Sequence, residues 1–160
     1  MQSDFTLYGI NYSTLGRKVF NVEVFRCKKI MEGKMYYLSR EFTFDAAHKI
    51  IDYQGKCENL HGHTYRLKVT VAGKLGANGM VVDFTIIKNV VNEMVIDKLD
   101  HCYLNDLFEN PTTEIVAHWI YTTLLPAFKK YDCTVYEISL SEGANNTVVF
   151  RGDGDERHTE

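Results

Sequence analysis

Met35-Tyr36-Tyr37-Leu38-Ser39-Arg40-Glu41-Phe42-Thr43-Phe44 is rich in aromatic side chains that roughly alternate with polar ones, the period of a half-buried strand. Tyr65 to Val71 repeats the pattern beyond a loop containing Gly55, and the two stretches read as paired strands. Downstream the period changes. Asp83 can accept from the free N–H groups of a first helical turn, and Ile86, Ile87, Val90, Val91, Met94, Val95 and Leu99 then recur at helical spacing. A second helix is expected to start at Thr112 or Thr113, after Pro111, and to run through Ile115, Trp119 and Leu124, with Pro126 kinking or ending it. Thr134 to Glu142 and Thr147 to Arg151 alternate again across the turn Gly143-Ala144-Asn145-Asn146. The order strand, strand, helix, helix, strand, strand predicts an α+β domain with both helices on one face of an antiparallel sheet.

That domain is expected to span residues 35–152. Before it, residues 1–34 form an N-terminal extension of unassigned role, with one expected strand from Lys18 to Phe25 and with Met31 and Met35 as alternative starts. After it, residues 153–160 read as a polar tail. A length of 160 residues suffices for one domain with a real core, and 45% hydrophobic with 24% charged residues is ordinary for a folded soluble protein. A net charge of −3 gives no general attraction for a polyanion, so nucleic acid is not an expected partner. The four cysteines, at positions 27, 57, 102 and 133, form no C-x-x-C pair, which fits a reducing cytoplasm. Met1 to Phe5 lacks a basic head followed by an apolar core, and no run approaches the roughly 18 apolar residues of a membrane span, so neither export nor a membrane is expected.

The chemistry is concentrated in Cys57-Glu58-Asn59-Leu60-His61-Gly62-His63. Alternate residues of an extended strand share a face, so His61 and His63 would point the same way from anchors roughly 6.5–7 Å apart. Both rings could then meet one ion. His48, at the end of Phe42-Thr43-Phe44-Asp45-Ala46-Ala47-His48, can approach from a neighbouring strand. Three neutral imidazoles with a fourth position open suit a catalytic zinc, whereas a structural zinc is normally closed by four protein ligands. Such an ion polarises a substrate oxygen and makes a neighbouring C–H bond more acidic, which calls for a base. Cys57 is the candidate, since a thiol near a metal ionises readily; the alternative is a small buried hydrophobe.

Asp100-His101 follows the first helix. The pair can relay protons, the carboxylate fixing the imidazole tautomer, or His101 can simply cap the helix C-terminus. Thr112, Thr113 and Glu114 have an adequate capping reading. Glu142 is by default an exposed carboxylate, while His118 and His158 are assigned to a helix face and to the tail.

Taken together, Phe44-Asp45-Ala46-Ala47-His48, Cys57 to His63, Leu99-Asp100-His101-x-x-Leu104-Asn105, Asn110-Pro111-Thr112-Thr113-Glu114 and Ser141-Glu142 resemble, in order, the motifs of the 6-pyruvoyl-tetrahydropterin and 6-carboxy-tetrahydropterin synthase family. The resemblance covers about residues 36–152. It implies a tunnel fold, in which subunits join their sheets into a barrel and two rings stack, commonly as a hexamer that is a dimer of trimers, with active sites between subunits. It further implies that His48, His61 and His63 hold Zn2+, that Cys57, Asp100 and His101 handle protons, and that Glu142, with Thr112 and Thr113, binds the pterin ring. A carboxylate suits that edge because it accepts from two adjacent N–H donors. The implied substrate is 7,8-dihydroneopterin triphosphate. Elimination of triphosphate and carbon–carbon cleavage would release acetaldehyde and leave a 6-carboxypterin, a step toward queuosine, whereas the pyruvoyl branch stops after elimination and internal redox. The three residues between Cys57 and His61 resemble the carboxy-forming branch, and the pyruvoyl enzymes usually have a longer gap. Ser141-Glu142-Gly143 departs from a commoner x-Glu-Thr. The alternatives are the pyruvoyl synthase and a non-catalytic zinc- or pterin-binding module. Lys49, Lys56, Arg66 and Lys68 are candidates for the triphosphate by chain position alone.

Overall fold

The computed structural model describes residues 33–52, 54–55 and 58–152; the expected strand Lys18 to Phe25, the polar tail and Cys57 lie outside them. The chain divides after Lys34, and every element below belongs to the unit that starts at Met35. Strand β1, Met35–His48, and strand β2, His61–Lys74, are each 14 residues long, several more than the sequence pattern marks. They pair antiparallel along their whole length, from Met35 opposite Lys74 to His48 opposite His61. Alternation does the sorting: Phe44, Ala46, Tyr65, Leu67, Val69 and Val71 are buried on one face, and their neighbours Asp45, Thr64, Arg66 and Lys68 occupy the other.

Asp83 caps helix α1, Phe84–Val91, as expected, its carboxylate accepting from Thr85 N–H at 2.6 Å. The helix runs on through a π-helical turn, Asn92–Ile96, and a closing α turn, Asp97–Leu99. Ile87, Val91, Val95 and Leu99 are fully buried at strict four-residue steps. A repeat of four drifts ahead of a 3.6-residue helix, and the wider π turn takes up that drift and keeps the stripe on the core.

A two-residue strand β3, Cys102–Tyr103, then pairs with Ala46 and Ala47 in parallel. Helix α2, Thr113–Lys129, strand β4, Cys133–Glu142, and strand β5, Asn146–Phe150, complete the unit. The sheet order is β3-β1-β2-β4-β5. The sheet is therefore mixed, correcting the expected purely antiparallel one. A strand of two residues carries no periodic signal, so the sequence pattern could not mark it.

Of the two effects expected of Pro126, a kink or an end, it does not end the helix, because α2 continues past it to Lys129. Pro126 and Thr122, the residue whose helical carbonyl bond the ring removes, are both exposed, so water can satisfy that carbonyl, while Leu124 and Phe128 anchor the last turn in the core. In β4 the alternation breaks between Val135 and Ile138, both buried; a bulge, where Thr70 pairs with Glu137 but Val71 with Val135, restores their common facing. Gly143 makes the β4–β5 turn at φ +66°. One hydrophobic cluster joins the inner residues of β1, β2 and β4 to Ile87, Val91, Val95 and Leu99 and to Val116, Ile120, Leu124 and Phe128, so both helical segments cover one face of the sheet. Among the described residues no helix is long and apolar enough to cross a membrane.

Candidate active site

The end of the β1–β2 ladder positions the histidines. His48 opposes His61, Ala46 opposes His63 and Phe44 opposes Tyr65, so the three imidazoles share the inner face just beyond a wall made by the stacked rings of Phe44 and Tyr65. The small Ala46 leaves the space that the rings fill, with ring centroids 4.6 to 5.2 Å apart. His48 is 1% exposed.

Proton placement follows from the partners. His48 Nδ1 lies 3.0 Å from the Pro111 carbonyl and His61 Nδ1 lies 2.7 Å from the Asn59 carbonyl. A carbonyl only accepts, so in the neutral rings Nδ1 donates and Nε2 keeps its lone pair. Yet His48 Nε2 and His61 Nε2 face each other at 3.2 Å. Two lone pairs at that distance call for a shared cation. His63 Nε2 is buried without a hydrogen bond, although Glu142 Oε1 lies 2.8 Å away. Burial holds the His63 ring below the ordinary imidazole value against the pull of Glu142, and the His61 and His48 rings lower it further, so it too favours the neutral, ligating form.

Glu142, at the end of β4, is not the exposed carboxylate expected of a strand end. Its side chain is 17% exposed, Oε1 turns to the histidines and Oε2 accepts from Thr113 Oγ1 at 2.7 Å. One donor atom from each of His48, His61, His63 and Glu142 lies within 4.8 Å of the others. Nitrogen donors, a carboxylate and an orphaned buried Nε2 fit a zinc ion. Tyr65 closes the floor, its Oη 3.5 Å from His48 Nδ1, and burial followed by the charge of Glu142 pushes its phenol well above the ordinary value.

The other candidates divide. Thr112 is the N-cap of α2, its Oγ1 accepting from Ile115 N–H at 3.4 Å, whereas the adjacent Thr113 enters the site. Asp100 and His101 gather on the opposite face of β1. Asp45 stands three positions from His48 on the strand and so points the other way. Asp100 Oδ1 accepts from Asp45 N–H at 2.9 Å, and His101 N–H donates to Asp45 C=O at 2.6 Å. His101 Nδ1 contacts Asp100 Oδ1 at 3.0 Å, with His101 in the left-handed region at φ +58° and its side chain 79% exposed. The Asp45 N–H bond is the main cause that holds the Asp100 carboxyl below its usual range. The pair thus lies at the end of the first helical segment and is tethered to β1 through the Asp45 backbone. Arg66 and Lys68 line a recess of about 490 Å³ on that same outer face, with Glu41, Thr43, Ser139 and Ser141. Lys49 is held by its backbone, its N–H donating to Asn105 Oδ1 at 2.9 Å and its carbonyl accepting from Asn105 Nδ2 at 3.0 Å.

Pattern reading missed Tyr65, the Pro111 carbonyl and the Asn105 clamp as parts of the site. Only the position of Asn105 and Pro111 within the quoted motifs hinted at them, because their partners lie more than fifty positions away in the chain.

Three imidazoles and a carboxylate at one end of a five-stranded sheet backed by helices define an α+β protein with a pocket whose side chains could hold a metal ion. The chain belongs to the 6-pyruvoyl tetrahydropterin synthase family, whose model matches residues 37–153. It is 41% identical over 97 residues, 56% of this chain and 75% of the relative, to a 6-carboxy-5,6,7,8-tetrahydropterin synthase of Synechocystis. It is 44% identical over 92 residues, 56% of this chain and 73% of the relative, to a dihydroneopterin monophosphate aldolase of Pyrococcus furiosus. The 6-pyruvoyl tetrahydropterin synthase structure of Caenorhabditis elegans superposes with a TM-score of 0.66 at 26% identity, covering 74% of this chain and 96% of that one.

Proposed function

We propose that the chain is a zinc-dependent 6-carboxy-5,6,7,8-tetrahydropterin synthase, a lyase that converts 7,8-dihydroneopterin triphosphate to 6-carboxytetrahydropterin with release of acetaldehyde and triphosphate, on the way to queuosine. The observation that carries this reading is the meeting of the His48 and His61 Nε2 lone pairs at 3.2 Å beside the orphaned Nε2 of His63. Zinc bound there supplies a Lewis acid for the side-chain oxygens of the substrate. Cys57, four residues before His61, is assigned as the base that takes the carbon-bound proton. Thr113 and Glu142 bind the pterin edge, and Thr112 supports them by fixing the first turn of α2.

Asp100 and His101 stand on the face of β1 opposite the histidines of their own chain. This reading therefore gives them to a site completed by a second copy, which supports a homo-oligomer with active sites between subunits. The Synechocystis relative and the three-residue gap between Cys57 and His61 favour the carboxy-forming branch over the pyruvoyl branch. The archaeal relative favours a second reading, an aldolase acting on dihydroneopterin monophosphate.

Incubation of the zinc-loaded protein with 7,8-dihydroneopterin triphosphate, followed by mass analysis of every product, is expected to yield acetaldehyde, triphosphate and the 6-carboxypterin. Triphosphate without acetaldehyde would reassign the chain to the pyruvoyl branch. Turnover of the monophosphate alone would make it an aldolase, and bound metal without any turnover would leave a binding module.

A further inference from the structure

We propose that Glu142 is the fourth metal ligand in the substrate-free protein, so that the resting site is a closed set of three imidazoles and one carboxylate. Ligands about 2.0–2.1 Å from a tetrahedral zinc stand about 3.3 Å from one another. The separations here bracket that value: 3.2 Å between His48 Nε2 and His61 Nε2, 2.8 Å between His63 Nε2 and Glu142 Oε1, and 3.9 Å between His48 Nε2 and the same oxygen. Proton sharing does not account for the shortest of these, since His63 Nε2 takes part in no hydrogen bond. Thr113 Oγ1 donates to Oε2, which holds the carboxylate by one oxygen and leaves Oε1 as a single donor aimed at the imidazoles. A mostly buried carboxylate among neutral rings is costly unless a cation meets it, and one divalent ion balances the whole group.

Closure has a consequence for substrate entry, and this half rests on the pterin reading above. A ring edge with adjacent N–H donors competes for the same carboxylate, so binding of the pterin draws Glu142 off the metal and opens a coordination position as the substrate side chain arrives. A metal closed by four protein ligands until then reacts poorly with water or stray anions.

The test uses the full chain loaded with Co2+, whose visible absorption reports its ligands, and azide as an exogenous anion. Wild-type protein is expected to show no azide-dependent change at concentrations that saturate Glu142→Ala, and Glu142→Ala should bind Co2+ at least about tenfold more weakly in chelator competition. Glu142→Gln, which keeps the side-chain shape, guards against loss of the fold and should bind azide at least about tenfold more tightly than wild type. Equal azide affinity in wild type and both variants, or unchanged spectra and Co2+ affinity, would overturn the assignment. Adding unsubstituted pterin to wild type should then confer azide sensitivity. If pterin has no effect while the variants behave as expected, the ligand role stands and the pterin-driven opening fails.

Discussion

Each histidine of the pocket has its Nδ1 or its strand neighbour specified by something other than metal. Pro111 and Asn59 carbonyls orient His48 and His61, and Ala46 gives His63 room across the ladder. Outer partners of this kind fix ring orientation and raise ligand basicity. Removing a ring is therefore a different event from removing the proposed base. His61→Ala should lower metal affinity by more than about 100-fold and abolish turnover with it, whereas Cys57→Ala should retain the metal and lose at least about 100-fold in kcat. Metal content after dialysis and steady-state rates separate the two, and full turnover by Cys57→Ala would remove it from the reaction. The H-x-H spacing was readable in advance because strand alternation alone puts both rings on one side. Glu142 was not, since a carboxylate at a strand end has no period to betray it; only its motif position suggested a role. The link from Asp45 to Asp100 was equally hidden, because it runs through the Asp45 backbone N–H, which every residue type but proline possesses.

Among the elements, α1 depends on its start. The Thr85 backbone N–H, then the Thr85 side chain, hold the Asp83 carboxyl below its usual value. A depressed carboxylate contributes stability that is complete above its unfolded value of about 3.9 and is lost as pH falls through the lower folded value. Asp83→Asn should accordingly have a lower unfolding midpoint than wild type at pH 7, and the gap should narrow as the medium is taken well below pH 4. Paired denaturation curves across that range check it, and a gap independent of pH would show that charge is not what the cap supplies. Both helices were legible from their apolar spacing, and Thr112 was legible as a start. The π-helical turn, the bulge at Thr70 and the survival of α2 past Pro126 were not, because each answers to the facing of buried residues already set by the rest of the core.

For the whole molecule, the two faces of β1 matter most. His48 on β1 and His61 and His63 on β2 face inward, while Asp100 and His101 are bonded to Asp45, which faces the other way. The proposed reading assigns the two groups to sites shared between copies of the chain. Cys57→Ala and His101→Ala should each be nearly inactive as pure proteins. When the two are unfolded together and reassembled, on the order of a quarter of the sites should hold both intact groups, and activity should return to about that share of wild type. Continued inactivity of the mixture, with assembly verified by light scattering, would place both groups in one chain's site.

The ladder from Met35 to His48 counts residues in pairs. Adding or deleting a single position within it, with the pairing upstream kept, would turn His48 toward Asp45's side and leave His61 without its counterpart. Length variation among functional relatives should therefore collect in the connection between His48 and His61, where a change of any size leaves parity untouched, and be absent from the strands themselves. The same arithmetic offers a simple route to a folded but metal-blind scaffold: one extra residue, and no altered chemistry at all.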